Sequence, residues 1–266
     1  MTKIKDKVVW ITGASSGIGE ALAVEMALKG AKLILSARNK EKLEIVKGKC
    51  LGIPQENIQV LPLDLSKPET LKVSAEAALQ FYGHVDMIIN SGGISQRSLA
   101  KETVIDVDRK VMEVNYFGSV ALTKYLLPSM LERKTGHFIS ISSLVGKFGS
   151  PYRTGYAASK HALHGFFDSL RAELWKDNIK VMLVCPGFIS TQISVNALTE
   201  DGSALNQMDD AQANGMPADK CARIIIKGIE KNKNELLIGG KETLGVYIKR
   251  FFPGLFAKII RKAKVR

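Results

Sequence analysis

VVWITGASSGIGEALAVEMALK, residues 8–29, is the stretch on which the fold turns. Val8 to Ile11 is an apolar, largely β-branched run with the character of a strand. It enters Thr12-Gly13-Ala14-Ser15-Ser16-Gly17-Ile18-Gly19, and a helical pattern follows from about Glu20 to Lys29. Strand, glycine turn and helix in that order are the setting in which glycines signal dinucleotide binding. Gly13, Gly17 and Gly19 permit the tight turn and a close backbone approach, and the helix N-terminus offers N–H groups and its dipole to a pyrophosphate. The spacing is G-x-x-x-G-x-G rather than G-x-G-x-x-G, and a turn without a ligand is the alternative that the motif alone leaves open.

Further strands are expected at Lys32–Ala37, Ile58–Leu63, Val85–Ile89, Phe138–Ile141, Lys180–Val184 and Leu236–Ile238, with helical patterns between them. Such alternation predicts an α/β fold, a doubly wound Rossmann architecture with a seven-stranded parallel sheet flanked by helices. Its ligand should lie at the carboxyl ends of the strands, near the switch point between the first and fourth. The second strand ends in Ser36-Ala37-Arg38-Asn39, where an acid would hold the ribose hydroxyls of NAD. Arg38 instead offers a guanidinium suited to a 2′-phosphate, with Ser15 and Ser16 as helpers, and this favours NADP(H) over NAD(H). A solvent-facing Arg38 is the plainer alternative.

A second stretch carries the chemistry: FISISSLVGKFGSPYRTGYAASKHALHGFF, residues 138–167. A strand breaks at Ser142 and Ser143, and after a Gly/Pro loop a small-residue helix carries Tyr156 and Lys160. Positions four apart share a helix face, so the two polar ends can converge. A nearby ammonium stabilises a phenolate, so the Tyr156 pKa is expected to fall from its usual ~10 toward working pH, as a general acid/base requires. Ser143, at a strand end, is placed to hydrogen-bond a substrate oxygen. A buried tyrosine beside a surface lysine is the alternative for the pair taken alone. A third oddity is Asn115, in the middle of a long helix expected from about Val107 to Glu132, where an asparagine competes for backbone bonds and suggests a kink or a role.

The serine thirteen residues before the tyrosine, the run Ala157-Ala158-Ser159 and the glycine turn together make the chain resemble the short-chain dehydrogenase/reductase superfamily in its single-domain form, over nearly its whole length. The resemblance implies Ser143, Tyr156, Lys160 and Asn115 as the catalytic set, with Asn115 distorting its helix and holding a water on the proton route. It implies that Asp64, followed by Leu65, meets the adenine edge, and that Gly13, Ile18 and Gly19 line the pyrophosphate turn. Asn90-Ser91-Gly92-Gly93 stands where relatives usually carry Asn-Asn-Ala-Gly, so Asn90 and Gly92 are expected beside the cofactor. Past the sixth strand, Pro186 and Gly187 end it abruptly, and by resemblance Ile189 and Thr191 border the nicotinamide carboxamide. The implied reaction is reversible hydride transfer between nicotinamide C4 and a carbonyl or secondary alcohol carbon, and a homotetramer or dimer is expected. Tyr152-Arg153, Ser194-Val195-Asn196-Ala197 and Pro253-Gly254-Leu255-Phe256 resemble the dehydrogenase/reductase member-seven group, which implies a hydrophobic carbonyl of the lipid, retinoid or steroid kind.

Composition adds bounds. With 266 residues, 45% hydrophobic and 24% charged, the chain can bury a large core. One catalytic domain is expected over residues 1–240, with a substrate lid at about 190–216 where the sequence turns polar, small and irregular. Cys50, Cys185 and Cys221 have no metal-ligand spacing and read as reduced thiols, so no metal is expected. The start of the chain runs straight into a strand and nothing reaches the ~20 apolar residues of a membrane span, so a cytoplasmic setting is expected. Of the net charge of +12, residues 241–266 carry +7, from eight Lys/Arg against Glu242. This tail mixes Val246, Tyr247, Phe251, Phe252, Leu255, Phe256, Ile259 and Ile260 with basic residues, and Pro253-Gly254 divides it into two amphipathic pieces. Either it touches a membrane surface, or its apolar face closes the substrate cleft or meets a neighbouring subunit. Nucleic acid is not expected, because no recognition motif accompanies the charge. A non-catalytic NADP-binding sensor or scaffold, and a membrane-surface interaction protein, are the competing functional classes.

Overall fold

The structure, a computed structural model, describes residues 2–263. Met1, at the start of the expected catalytic domain, and Lys264, Val265 and Arg266, at the end of the expected tail, lie outside the described residues. In chain order the strands are β1 (Val8–Thr12), β2 (Lys32–Ser36), β3 (Ile58–Val60), β4 (Met87–Asn90), β5 (Gly136–Ile141), β6 (Ile179–Pro186), β7 (Ile189–Ser190), β8 (Met216–Pro217) and β9 (Glu235–Ile238). All but β7 and β8 form one seven-stranded parallel sheet in the order β3-β2-β1-β4-β5-β6-β9. The order reverses between β1 and β4, so the crevice at their carboxyl ends is the switch point.

The helices are α1 (Gly17–Leu28), α2 (Lys40–Lys49), α3 (Pro68–Tyr82), α4 (Ile105–Met112), α5 (Gly118–Glu132), α6 (Thr154–Glu173), α7 (Asp210–Ala213), α8 (Ala218–Glu230), α9 (Leu244–Phe251) and α10 (Pro253–Ile260). They cover the sheet on both faces. Side chains alternate along a strand, and in β1 Val9 and Ile11 join the core under α1, α2 and α8, while Val8 and Trp10 join the core under α3, α5 and α6. The buried Trp10 indole donates to Ser36 Oγ at 2.8 Å, which satisfies its one polar atom.

Most strand bounds fall within two residues of those expected, and two elements differ by more. The third strand stops at Val60 rather than Leu63. Pro62 has no N–H to give, but Leu61 and Leu63 still donate to Leu35 and Ala37, so the chain stays extended beside β2. The long helix from Val107 is not continuous. α4 and α5 are joined by a π-helical turn over Glu113–Phe117, with the fully buried Asn115 at its centre. The misfit of asparagine in that helix thus has a physical counterpart.

Asp86, just before β4, ties the amino end of the sheet together. Its carboxylate accepts from Val8 N at 3.0 Å and from Arg133 Nη2 at 2.7 Å, with Lys7 at 3.4 Å and His84 at 3.3 Å. Burial alone would raise its pKa, but the Arg133 bond, the Val8 N–H and the charges of Lys7 and His84 outweigh that and hold it below 3.8. A depressed carboxylate pKa stabilises the fold above the unfolded value, and that contribution is lost as pH falls through the folded value. We therefore expect Asp86→Asn to lower stability by about 1–3 kcal/mol at neutral pH in urea unfolding, with the gap to wild type closing as the pH is taken below 4.

Candidate active site

The β1–α1 turn is built on steric necessity. Gly13 has φ +66°, and a Cβ there would stand 2.7 Å from the Gly92 Cα. A Cβ on Gly19 would stand 2.2 Å from the Gly13 carbonyl oxygen. No side chain fits at either place, so the turn after β1, the first turn of α1 and the loop after β4 pass backbone against backbone. Thr12 Oγ1 accepts from Gly92 N at 3.1 Å and fixes the approach. Ser16 caps α1 in extended conformation with no side-chain cap bond, which leaves the helix's first N–H groups directed at the crevice.

A single cleft of about 1060 Å³ runs over this turn and along the carboxyl ends of the strands. Of the residues expected at the cofactor, Gly13, Ser15, Ser16, Gly17, Ile18, Gly19, Arg38, Asp64, Leu65, Gly92, Pro186, Gly187, Ile189 and Thr191 line it. Asn90 does not. It is buried at the end of β4, where its amide donates to Thr123 Oγ1 at 3.3 Å. Lys42 also faces the cleft near Arg38 in sequence. Asp64 accepts from Ser66 N and Oγ at 3.0 and 2.7 Å. Burial would raise its pKa, yet those bonds and the charges of Arg38 and Lys67 bring it below the usual value, so Arg38 and Asp64 share one end of the cleft. An open glycine cradle, free helix N–H groups and a guanidinium at the end of β2 suit a dinucleotide.

Ser143, Tyr156 and Lys160 line the other part of the same cleft. Ser143 stands two residues past the end of β5 and its Oγ donates to the Pro186 carbonyl at 3.3 Å. Tyr156 lies in the first turn of α6. Lys160, one turn on, is buried and donates to the Ile141 carbonyl at 2.9 Å, with its ammonium 5.7 Å from the Tyr156 ring centre. Asn115 joins them through its backbone neighbours. Its Oδ1 accepts from Ile94 N at 2.8 Å, and its Nδ2 donates to the Ile94 carbonyl and to Ser159 Oγ, both at 2.9 Å. A Cβ on Gly93 would sit 3.0 Å from Asn115 Oδ1 and 3.5 Å from Lys160 Nζ, so the loop after β4 is clamped against both.

The electrostatics differ from the expected fall in the Tyr156 pKa. Burial pushes the Tyr156 hydroxyl above 10, and the groups pulling it back are Arg97, the Ser143 hydroxyl and Arg153. Lys160 itself is pushed down to about 8 by desolvation. Arg97 and Arg153 were not among the expected site residues, nor was Asp209, the carboxylate they share. Tyr152-Arg153 was visible only as a stretch of resemblance.

The expected lid follows β7, which begins at Ile189 and pairs in parallel with β8 at Met216, so the segment leaves and returns at one place. Gln212 of α7 donates to the Ile189 carbonyl and to Thr191 Oγ1, closing the base of the segment. The tail folds back over the cleft. Phe256 is buried against Phe148 with ring centres 5.0 Å apart, and Val246, Ile248 and Ile260 pack on the same cluster as Tyr156. The three cysteines are buried and free. Among the described residues no helix is long and apolar enough to cross a membrane.

The short chain dehydrogenase family model matches residues 7–202. The chain is 45% identical to mouse dehydrogenase/reductase SDR family member 7B over 97% of its own length and 81% of the mouse protein. It is 40% identical to human member 7, covering 94% of this chain and 76% of that one. Among solved structures, a short chain dehydrogenase/reductase from Burkholderia phymatum in complex with NAD superposes with a TM-score of 0.87 at 24% identity, covering 96% of each chain. One from Burkholderia cenocepacia in complex with NADP gives 0.80 at 21% identity, over 98% of this chain and 100% of that one. These likenesses bear on the fold. With the relatives and the family model they lead to one conclusion: this chain belongs to the short-chain dehydrogenase/reductase family of oxidoreductases.

Proposed function

We propose that the protein is an NADP(H)-dependent reductase of carbonyl groups, reversibly oxidising secondary alcohols, on hydrophobic lipid-, retinoid- or steroid-like substrates. The observation that carries this is the meeting of Ser143, Tyr156 and Lys160 in the same cleft as the glycine turn and Arg38. When bound, the nicotinamide supplies or accepts the hydride. Ser143 and Tyr156 orient the substrate oxygen by hydrogen bonds, and Tyr156 Oη gives up its proton as negative charge develops there. Lys160, fixed by the Ile141 carbonyl, holds a positive charge against the tyrosine ring, and on this reading it would also hold the nicotinamide ribose. Asn115 commits both amide hydrogens and one acceptor site of Oδ1 to Ile94 and Ser159, and on this reading it keeps a water that connects Lys160 to solvent.

Arg38 favours NADP(H), since no acid stands at the end of β2 and Lys42 adds a second cation on the same wall. The apolar roof of Phe148, Ile248, Phe256 and Ile260 favours a hydrophobic substrate. Phe117 and Tyr125, exposed near the junction and along α5, are suited to the homodimer or tetramer expected of the family.

The tail supports a further reading, contact with an anionic bilayer. Its inner face roofs the cleft, while Leu244, Tyr247, Phe251, Phe252, Leu255 and Ile259 are exposed, with Phe251 at 69% and Phe252 at 63%. Lys249, Arg250, Lys258, Arg261 and Lys262 are exposed among them. Apolar side chains beside exposed cations match the chemistry of a negatively charged lipid surface. On this reading the protein is cytoplasmic with a peripheral membrane contact.

Tyr156→Phe should lower NADPH-dependent turnover of an aromatic ketone or aldehyde by about a hundred- to ten-thousandfold while NADPH still quenches protein fluorescence. Equal turnover would remove the mechanism, and turnover by neither form on a broad carbonyl panel, with tight NADPH binding, would favour the sensor. Arg38→Asp should weaken NADPH binding about ten- to a hundredfold and narrow the gap to NADH. The double variant Phe251→Ser/Phe252→Ser should lose sedimentation with phosphatidylserine vesicles and keep its turnover of a water-soluble carbonyl. Unchanged sedimentation would exclude the bilayer contact, and a shift from dimer to monomer would assign the face to a second copy.

A further inference from the structure

A buried charge cluster stands beside the catalytic tyrosine. Asp209, at the N-terminus of α7 in the 190–216 segment, accepts from Arg97 Nε at 2.9 Å and from Arg153 Nη2 at 3.2 Å, both on Oδ2. Arg97 comes from the loop after β4, and Arg153 immediately precedes α6, three residues before Tyr156. All three residues are buried, at 2%, 5% and 5% exposure for Arg97, Arg153 and Asp209. The neighbouring backbone is shaped to this end. Tyr152 has φ +63°, a left-handed conformation that few side chains adopt, and its carbonyl is held by Ser98 N at 3.2 Å. Arg97 Nη1 is held in turn by Ser95 Oγ and, at 3.0 Å, by the Gln96 carbonyl. Two buried guanidiniums from two elements therefore meet on one oxygen supplied by a third.

We propose that Asp209 is a positioning residue that docks the 190–216 segment onto Arg97 and Arg153 and thereby sets the charge around the Tyr156 hydroxyl, so that closure of this lid and the acid/base poise of the tyrosine are a single event. The proposal rests on the reading of Tyr156 as the acid/base. Both arginines stabilise the phenolate, and the lid carboxylate offsets part of their charge. With Asp209 in place the tyrosine keeps its proton for a carbonyl. With the carboxylate withdrawn, the same arginines draw the phenol toward ionisation, the form that accepts a proton from an alcohol. The other groups facing Tyr156 do not duplicate this role. Ser143 from the end of β5 is neutral, Lys160 lies one turn along α6 with Cys185 of β6 near it, and the roof presents Phe256, Val246, Ile248 and Ile260. The remaining ionisable groups on the cleft wall are Lys110 of α4, Lys241 and Glu242 before α9, and Arg38, Lys42 and Asp64 at the adenosine end.

Arg97→Gln removes a cation and should move the Tyr156 midpoint up by roughly one pH unit, and Asp209→Asn, which removes the anion paired with both arginines, should move it down. The midpoint is read in two ways. One is the pH profile of kcat for alcohol oxidation with NADP. The other is tyrosinate ultraviolet absorbance of the protein without cofactor, each trace corrected with the same variant carrying Tyr156→Phe. The second readout needs no turnover, so it stands even if the reductase assignment fails. Asp201→Asn is the control within the segment, an exposed aspartate that bonds Thr199 and Ser203, and should leave the midpoint where it is. Opposite shifts in the two variants support the proposal. Midpoints unchanged in both, or moved in the same direction, with only a lowered melting temperature and a uniform loss of kcat, would overturn it and leave the cluster as a scaffold.

Discussion

The molecule depends on one close approach, the passage of the Gly13 turn against Gly92, where a β-carbon on Gly13 would stand 2.7 Å from the Gly92 Cα. It holds the turn after β1 and the loop after β4 in backbone contact, and these are the strands between which the sheet order reverses. Every functional group described above is reached by walking outward from it. Thr12 pins the two loops, the loop after β4 continues through Gly93 to Ile94, and Ile94 is clamped by Asn115. From Asn115 the path runs to Ser159 on α6, the helix that carries Tyr156 and Lys160.

Much of this was legible in sequence wherever the signal was local. A glycine turn between a strand and a helix, a Tyr and Lys four apart, and a serine at a strand end are spacings that a helix or strand converts directly into proximity. Asn115 was legible for the opposite reason, as a residue unsuited to its helix, and the π-helical turn is what that unsuitability becomes. Pro62 could have marked the early end of β3. Arg97, Arg153 and Asp209 were beyond reach. They are separated by 112 and 56 positions from their shared partner, and each alone reads as an ordinary surface charge. The direction of the Tyr156 shift escaped for a related reason. Local spacing identifies a neighbouring cation but does not report how deeply the pair is buried, and here desolvation outweighs the neighbours.

The tail illustrates the same boundary. Its mixture of apolar and basic residues marks an amphipathic segment, but sequence alone does not say which apolar residues face inward. The structure divides the apolar residues between the two sides of one short helical pair. Phe256 and its neighbours turn inward onto Phe148, and Phe251 and Phe252, at the break between α9 and α10, turn outward. One short helical pair, apolar on its inner face and mixed apolar and basic on its outer face, is all that covers this part of the cleft.

The π-helical turn has a consequence for how α4 and α5 can be altered. The buried row that runs through them, Val107, Val111, Asn115, Ser119, Leu122, Leu126 and Met130, takes five steps of four residues and one of three. A regular helix, at about 3.6 residues per turn, would need a step of three nearly as often as a step of four. The wide turn absorbs the difference, as a leap day keeps a calendar in phase with the seasons. Removing one residue from Glu113–Phe117 would straighten the helix and rotate all that follows by about 100°. Leu122, Leu126 and Met130 would then leave the sheet, so the length of this segment is constrained as tightly as the identity of its asparagine.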